Sequence, residues 1–457
     1  MGTNMSRAEL QLSRGKMQPL FFRYAIPGVV AMLFLAMQSI VDGIIVGRLI
    51  NATALAAVNI ATPVYALVTA VAVIIGVGTQ AQMGIHMGSG NYVRAKVALH
   101  SGILGVVAFI IPATIFVNWF ADDIVVFLGA NEELLPLSKD YIHGVMPLLF
   151  GVGGFLFCDH QLKALGHPRF AMIVMILTIV LNIVLSITFV KMGMETFGVG
   201  LGTGLSFTIG FIISTTVIWR EMHHTPNLHK AQGKFSGQMF WRIIYNGSSE
   251  GLAEVSIAIT MFLFNRTLME FAGTDGVAAF TLINYILFVG VNIMFGVANG
   301  VIPIISYNFG ADRINRVWRV AQLATKSNLV VGVVLILVLW ILGRQIIGIF
   351  ISPSEIHVTE LAVSGIRIVS LAFLFNGFNL FTSSFFTAVD NAFLSLLVGA
   401  MRGLIFLAIG IFTLPHLWGV TGIWLTVPIA ETITILIVFY LLKRWNLLYS
   451  RKQNFTI

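Results

Sequence analysis

The sequence predicts an all-α membrane protein. It should hold twelve transmembrane helices in two six-helix bundles, related by a pseudo-twofold axis along the membrane normal. Three observations carry this prediction. The 457 residues are 57% hydrophobic and only 10% charged, with a mean hydropathy of +0.92, where a soluble domain holds about 25% charged residues. The apolar runs are roughly 20 residues or longer and do not alternate, which suits helices rather than barrel strands. Finally, the chain repeats itself at a fixed, gap-free offset.

The spans are expected at 24–48, 54–85, 98–120, 138–161, 170–192, 198–219, 238–270, 277–307, 320–350, 360–387, 392–414 and 420–442. The second, seventh and eighth exceed a bilayer's needs and should tilt or extend past it. A bilayer leaves no water for unpaired backbone groups, so each span must satisfy its own as a helix.

Charge sets the orientation. Arg94 and Lys96, Lys163 and Arg169, Arg220 to Arg242, Arg313 to Lys326, and Lys443 to Lys452 fall in loops on one side, together with the basic N-terminus. The opposite loops carry Asp122, Asp123, Glu132 and Glu133. The positive-inside rule then puts both termini in the cytoplasm. The same rule accounts for the net charge of +8, which in a soluble protein would suggest nucleic acid. The segment before the first span lacks the apolar core and cleavage site of a signal peptide. Cys158 is the single cysteine, so no intramolecular disulfide can form and the usual metal-site spacings are absent.

The repeat divides the chain. "GVGTQAQMGIHMGSGNYVRAK" (76–96) aligns without gaps to "ANGVIPIISYNFGADRINRVW" (298–318). Gly78 meets Gly300, Gly88 meets Gly310, and Arg94 meets Arg316. Six spans per half is an even number, so both halves enter from the same side, as in parallel-repeat transporters. The organisation predicted is 1–23 as a cytoplasmic N-terminal segment, 24–219 as an N-lobe, 220–237 as a cytoplasmic linker, 238–443 as a C-lobe, and 444–457 as a cytoplasmic tail. The chain shows no HExxH, no Cys/His cluster, no hydrolase-type carboxylate pair and no Walker motif, which argues against an enzyme or an ATP-driven pump. The Gly-rich "GVGLGTG" (198–204) opens an apolar helix and reads as a packing face.

Polar residues inside spans are functional-site candidates, since an aspartate at a helix centre costs roughly 2.5–3.5 kcal/mol on insertion scales. Asp42, in "QSIVDGIIVGR", is the clearest, with Gln38 one turn away on the same face. Asn182 and Ser186 share a face of the fifth span, as Thr203 and Ser206 do in the sixth. These could converge on Asp42 as a pocket of oxygens, or simply bond to backbone. In the second half Glu250 and Glu254 lie one turn apart, with Glu254 expected deeper. Asn376 and Asn379 line one side of the tenth span. Arg402 is read as snorkelling or ion-paired, and Asp390 as a turn residue. Among the 36 Phe and 18 Met, some could form a plastic apolar cavity.

In several stretches the chain resembles the MATE transporters, the multidrug and toxic compound extrusion family of bacterial type, over roughly residues 20–445. "IVDGIIVGR", "LNIVLSITFV" and the paired "MGSGNYVRA" and "FGADRINRV" carry the resemblance, which is closer to DinF-like than to NorM-like members. It implies a V-shaped fold and an inner (plasma) membrane antiporter that expels amphipathic, often cationic organic compounds, driven by Na⁺ or H⁺. It implies no cofactor, small-molecule substrates, no nucleic acid and a monomer. Asp42 and Asn182 match the first-helix Asp and fifth-helix Asn of a DinF-type cation site, with Na⁺ at Asp42 and Asn182 as one reading. Ser186 stands where the family's second acid usually lies, and Ser206 near its Thr. Glu254 falls one turn from the NorM-type seventh-helix acid, and Asn376 near the tenth-helix Asp.

The cation-coupling set is therefore Asp42, Asn182, Ser186 and Ser206, and the substrate or cation cavity set is Gln38, Glu254, Asn376 and Asn379. One isolated carboxylate favours H⁺ over Na⁺, which wants several oxygen ligands. The alternative function is a lipid or lipid-linked oligosaccharide flippase of the same superfamily; few intramembrane bases speak against it. A major-facilitator transporter shares the span count, but its basic loop motif is poorly matched by "GSGNYVRAK".

Overall fold

A computed structural model describes residues 7–351 and 355–454, with side chains for 9–351 and 355–447. The side chains of Arg7, Arg451 and Lys452, counted above toward the orientation, lie outside the described residues.

Among the described residues ten helical stretches are long and apolar enough to cross a membrane. Two contain a sharp break, at Gly273 (φ 60°) and at Trp418–Gly419 (Gly419 φ 57°). Divided there, they give the twelve predicted spans. In order the helices are α1 (Arg7–Arg14), α2 (Met17–Leu49), α3 (Ala52–Gly88), α4 (Tyr92–Trp119), α5 (Ala121–Phe127) and α6 (Leu134–Val145). Then come α7 (Leu149–Ala164), α8 (Pro168–Lys191), α9 (Glu195–His224), α10 (Pro226–Lys230), α11 (Gly237–Gly300) and α12 (Ile302–Gly310). The chain ends with α13 (Ile314–Gly348), α14 (Ile356–Val369), α15 (Phe373–Ala388), α16 (Ala392–Ala400) and α17 (Phe406–Asn454).

Local chemistry sets the ends. The side chains of Asn51, Asn91 and Asn391 cap α3, α4 and α16 by accepting from the backbone N–H of Ala54, Arg94 and Leu394, at 2.7, 3.1 and 3.2 Å; a short polar side chain here satisfies an N–H the helix cannot. Pro168 opens α8, where its missing N–H costs nothing. Helices extend further than hydropathy alone suggested. The first span starts at Met17 and the last runs to Asn454, because polar residues continue a helix beyond the bilayer once its backbone bonds are nucleated. The segment 220–237 holds the end of α9, then α10 and an extended strap held to α4. Lys96 Nζ donates to Ala231 O at 2.8 Å, and His100 Nδ1 meets Gly233 O at 2.6 Å.

The repeat is visible in the turns. Asn91 N–H donates to His86 O at 2.8 Å, and at the matching place in the second half Arg313 N–H donates to Asn308 O, also at 2.8 Å. The 3₁₀ turn Met146–Leu148 that bends the fourth span recurs as Ser370–Ala372 in the tenth. The interval from Met146 to Ser370 is slightly longer than that from Asn91 to Arg313, so the second half has gained length between the eighth and tenth spans.

The chain forms two compact units. Unit 1 is Met1–Gly251 with Gly300–Val320 and Ala388–Asp390; unit 2 is Leu252–Asn299, Ala321–Thr387 and Asn391–Ile457. Unit 1 thus takes in the start of the seventh span, α12 and the head of the ninth. The reason is close packing of small residues. Gly84 and Gly88 on α3 meet Ser306 and Tyr307 on α12, and Gly310 meets Ile85. These two small-xxx-small stretches are the two copies of the repeat, and small residues are what let membrane helices approach. Of the ten stretches, the one holding the fourth span is the most enclosed, 72% buried over its apolar window, and the one holding the ninth the least, at 22%. Unit 2 packs around Phe264, Phe280, Ile283, Met294, Phe373 and Trp424. Ile115, Phe262, Ile341 and Leu436 are exposed, apolar surface that suits hydrocarbon rather than water.

Candidate functional site

In unit 1 the candidate site is built on α2, α8 and α9. Asp42 lies on α2, half-buried. Gln38, one turn before it, is buried and close enough for a side-chain hydrogen bond to the Asp42 carboxyl. Tyr65 of α3 and Tyr141 of α6 lie within its electrostatic reach. The sequence reading passed over both tyrosines, since Tyr is common in membrane helices and gives no distinguishing signal.

α2 packs against α8, and α8 against α9. Asn182 Nδ2 donates to Thr203 Oγ1 at 2.9 Å, which in turn donates to Val199 O at 3.1 Å. Ser206 Oγ donates to Thr203 O at 2.9 Å. Thr203 and Ser206 therefore take the backbone-bonding role that the sequence left open. Asn182, Ser186 and Ser206 are all fully buried. The fifth and sixth spans come this close because Gly202 faces Ser186, where a β-carbon would sit 2.6 Å from its hydroxyl.

The chemistry left over is one-sided. Gln38 Oε1, Asp42 Oδ1, Asn182 Oδ1 and Ser186 Oγ are buried without a hydrogen-bond partner among the described residues. Each unmet buried acceptor costs about 1–3 kcal/mol. Gln38 and Asp42 lie on α2, and Asn182 and Ser186 on α8, which packs against it; unmet oxygens of this kind are acceptors for a proton or a small cation. Among the described residues no three His, Cys, Asp or Glu side chains converge as a metal site.

In unit 2 the structure joins Asn376 and Asn379 through an acid the sequence reading missed. Asn376 Nδ2 donates to Glu431 Oε1 at 2.9 Å and Asn379 Nδ2 to Oε2 at 2.6 Å. Arg402 completes the group, its guanidinium 3.2 Å from Oε1, so it is ion-paired. A lone acid in an apolar span, "LTVPIAETITILIVF", was the available signal, the same one that singled out Asp42. At the seventh span the two acids differ in what covers them. Glu250 is buried, at 8% exposure, whereas Glu254 is exposed. Glu250 faces its packed neighbours and Glu254 does not.

A second buried pair lies on α7, where Lys163 donates to Asp159, with His160 against Gln80 at 3.2 Å. Asp390 sits in the turn after α15 at φ 58° and accepts from Gln82 and from Arg242.

A family model described as MatE matches residues 27–188 and again residues 251–412. The chain belongs to the MatE family. The interval between the starts of its two MatE stretches, 27 and 251, equals that between Met146 and Ser370, where the fourth and tenth spans bend. The first stretch holds Asp42, Asn182 and Ser186; the second holds Glu254, Asn376, Asn379 and Arg402. Glu431 lies beyond both.

The multidrug export protein MepA of Staphylococcus aureus strain MSSA476 is 23% identical over 440 residues, 95% of this chain and 96% of its own. A crystal structure of MATE in complex with MaL6 superposes with a TM-score of 0.90 at 22% identity, covering 98% of this chain and all of that one, 100%. An outward-facing multidrug resistance MATE family transporter of the MOP superfamily gives 0.88 at 22%, covering 98% and 99%. This MatE protein is therefore an all-helical, multi-pass membrane protein, a transporter and not an enzyme.

Proposed function

We propose that the chain is a secondary antiporter that exports amphipathic, often cationic organic compounds in exchange for H⁺ or Na⁺. The observation that carries this reading is the set of unpartnered buried oxygens on the packed helices α2 and α8, Asp42 Oδ1 among them. Such a site is costly when empty and is relieved by a cation, so occupancy can bias one conformation over another. A ligand shifts an equilibrium only through differential affinity for the two states. Asp42 is the coupling acid, Gln38 and Asn182 orient it, and Ser186 and Ser206 shape the pocket. H⁺ is favoured slightly, because Asp42 is the one carboxylate of this group. The multidrug export name of the S. aureus relative supports the substrate class.

The lobes are residues 24–219 and 238–443, with 220–237 as linker. The protein lies in the plasma membrane as a monomer, and its basic loops support cytoplasmic placement of both termini. A flippase for phosphate-bearing lipids would need bases open to an anion. Buried Lys163 and half-buried Arg402 are instead each matched to an acid.

The test is transport by the purified protein in proteoliposomes, with Na⁺ and H⁺ gradients imposed separately and a cationic and a neutral dye offered. Gradient-driven movement of the cationic dye supports the reading. Movement of neither dye under either gradient contradicts it.

A further inference from the structure

Glu431 is 3% exposed, and the groups around it are not equivalent. The two asparagine amides hold it at 2.9 and 2.6 Å, and Asn379 Nδ2 also donates to the Glu431 backbone carbonyl at 3.0 Å. These fix the carboxylate between the tenth and twelfth spans. The guanidinium is looser. Arg402 Nε and an η-nitrogen stand 3.3 and 3.2 Å from Oε1, beyond the roughly 2.7–2.9 Å usual for charge-assisted pairs. Its side chain is 15% exposed against 4% for Glu431, so it has an open side to move toward.

Two further observations point to exchange. Arg402 lies in a π-helical segment, Met401–Ile405, a winding that marks functional sites in many helices because it loosens the backbone ladder. Asn376 Oδ1 and Asn379 Oδ1 are buried with no partner among the described residues. A carboxylate with two unmet carbonyl oxygens on the side chains that bind it is a cradle for positive charge, and one guanidinium leaves it part-filled.

We propose that Glu431, Asn376 and Asn379 form a receiving site in unit 2 for the ammonium or amidinium group of a cationic substrate, and that Arg402 fills it as an internal cation until the substrate takes its place. The site rests on the reading of the chain as an exporter of cationic compounds. Exchanging one cation for another never leaves the buried carboxylate uncompensated, the state that is most costly. It also means that Arg402 competes with substrate, which lowers apparent affinity by the fraction of time the site is filled.

The test is equilibrium binding, not transport, so it stands apart from the exporter reading: a protein that binds but does not transport sinks the latter alone. Ethidium binding is measured by fluorescence anisotropy on the full chain in nanodiscs. Wild type, Arg402→Ala, Arg402→Met and the double variant Arg402→Ala/Glu431→Gln are compared, each with its melting temperature. Arg402→Ala and Arg402→Met should bind ethidium about tenfold more tightly than wild type, and the double variant should lose that gain. Methylguanidinium should displace ethidium from Arg402→Ala and raise its melting temperature, while leaving wild type unmoved. Equal affinity in wild type and both single variants overturns the proposal, as does a methylguanidinium effect of the same size on wild type. Should neither single variant survive purification, preparation in methylguanidinium must restore the folded protein; failure to do so also overturns it.

Discussion

Gly88 and Tyr307 approach so closely that a β-carbon on Gly88 would overlap the Tyr307 carbonyl oxygen. Gly310 meets the Ile85 carbonyl in the same way. Gly43, next to Asp42, has nothing within 4 Å of a built β-carbon. Gly88→Val and Gly310→Val should each cost about 1–3 kcal/mol by overpacking. Gly43→Ala should be neutral, or stabilising by up to about 1 kcal/mol from helix propensity. Thermal unfolding in detergent reads all three; a Gly88→Val protein that melts with wild type would contradict the tight α3–α12 seam.

Asp390 holds a left-handed backbone (φ 58°) while its carboxylate takes hydrogen bonds from Arg242 and Gln82. Asp390→Asn keeps the backbone preference and loses the charge. Asp390→Val loses both and adds about 1–2 kcal/mol of steric strain. Melting temperatures should fall in the order wild type, Asn, Val. High salt should narrow the first gap, since the Arg242 side chain is 50% exposed and its ion pair is screened. Equal melting of the Asn and Val variants would rule out the strain.

The spans were legible in the sequence because hydrocarbon forces each apolar run into a self-satisfied helix. Their breaks were legible too. Gly273 and Gly419 fall in the expected gaps 270–277 and 414–420. The site was legible only in part. Asp42 and Asn182 announce themselves by charge and polarity in apolar company. Tyr65 and Tyr141 lie within electrostatic range of Asp42 from other spans, and spacing along one helix cannot show that. That Glu250 is buried and Glu254 exposed could not be read from their spacing, because burial depends on which face a neighbour covers. Glu431 carried a readable signal that went unused.

Asn182 and Thr203 link the fifth and sixth spans at 2.9 Å. Thr203→Ser keeps the accepting oxygen and should melt near wild type. Thr203→Val leaves the Asn182 amide without its acceptor in a fully buried site, and should cost about 1–3 kcal/mol. Matching melting curves for the two variants would show that the link contributes nothing.

Glu254 is exposed within a membrane-spanning helix. A charge there is tolerated when it faces a watery cavity rather than lipid, where it would draw in cations. Glu254→Gln should leave the melting temperature unchanged and slow efflux of a cationic dye more than that of a neutral one. Equal slowing of both dyes, or none, would remove Glu254 from the substrate path.

The role assigned to Asp42, coupling an ion gradient to export, is tested most directly by Asp42→Asn in proteoliposomes. Dye efflux is followed under an imposed pH gradient and, separately, an imposed Na⁺ gradient, with protein amount and equilibrium dye binding measured on the same preparations. The expected result is a folded variant that still binds dye but no longer exports it in response to either gradient. Gradient-dependent efflux at the wild-type rate would contradict that role and leave Asp42 as a packing partner of Gln38.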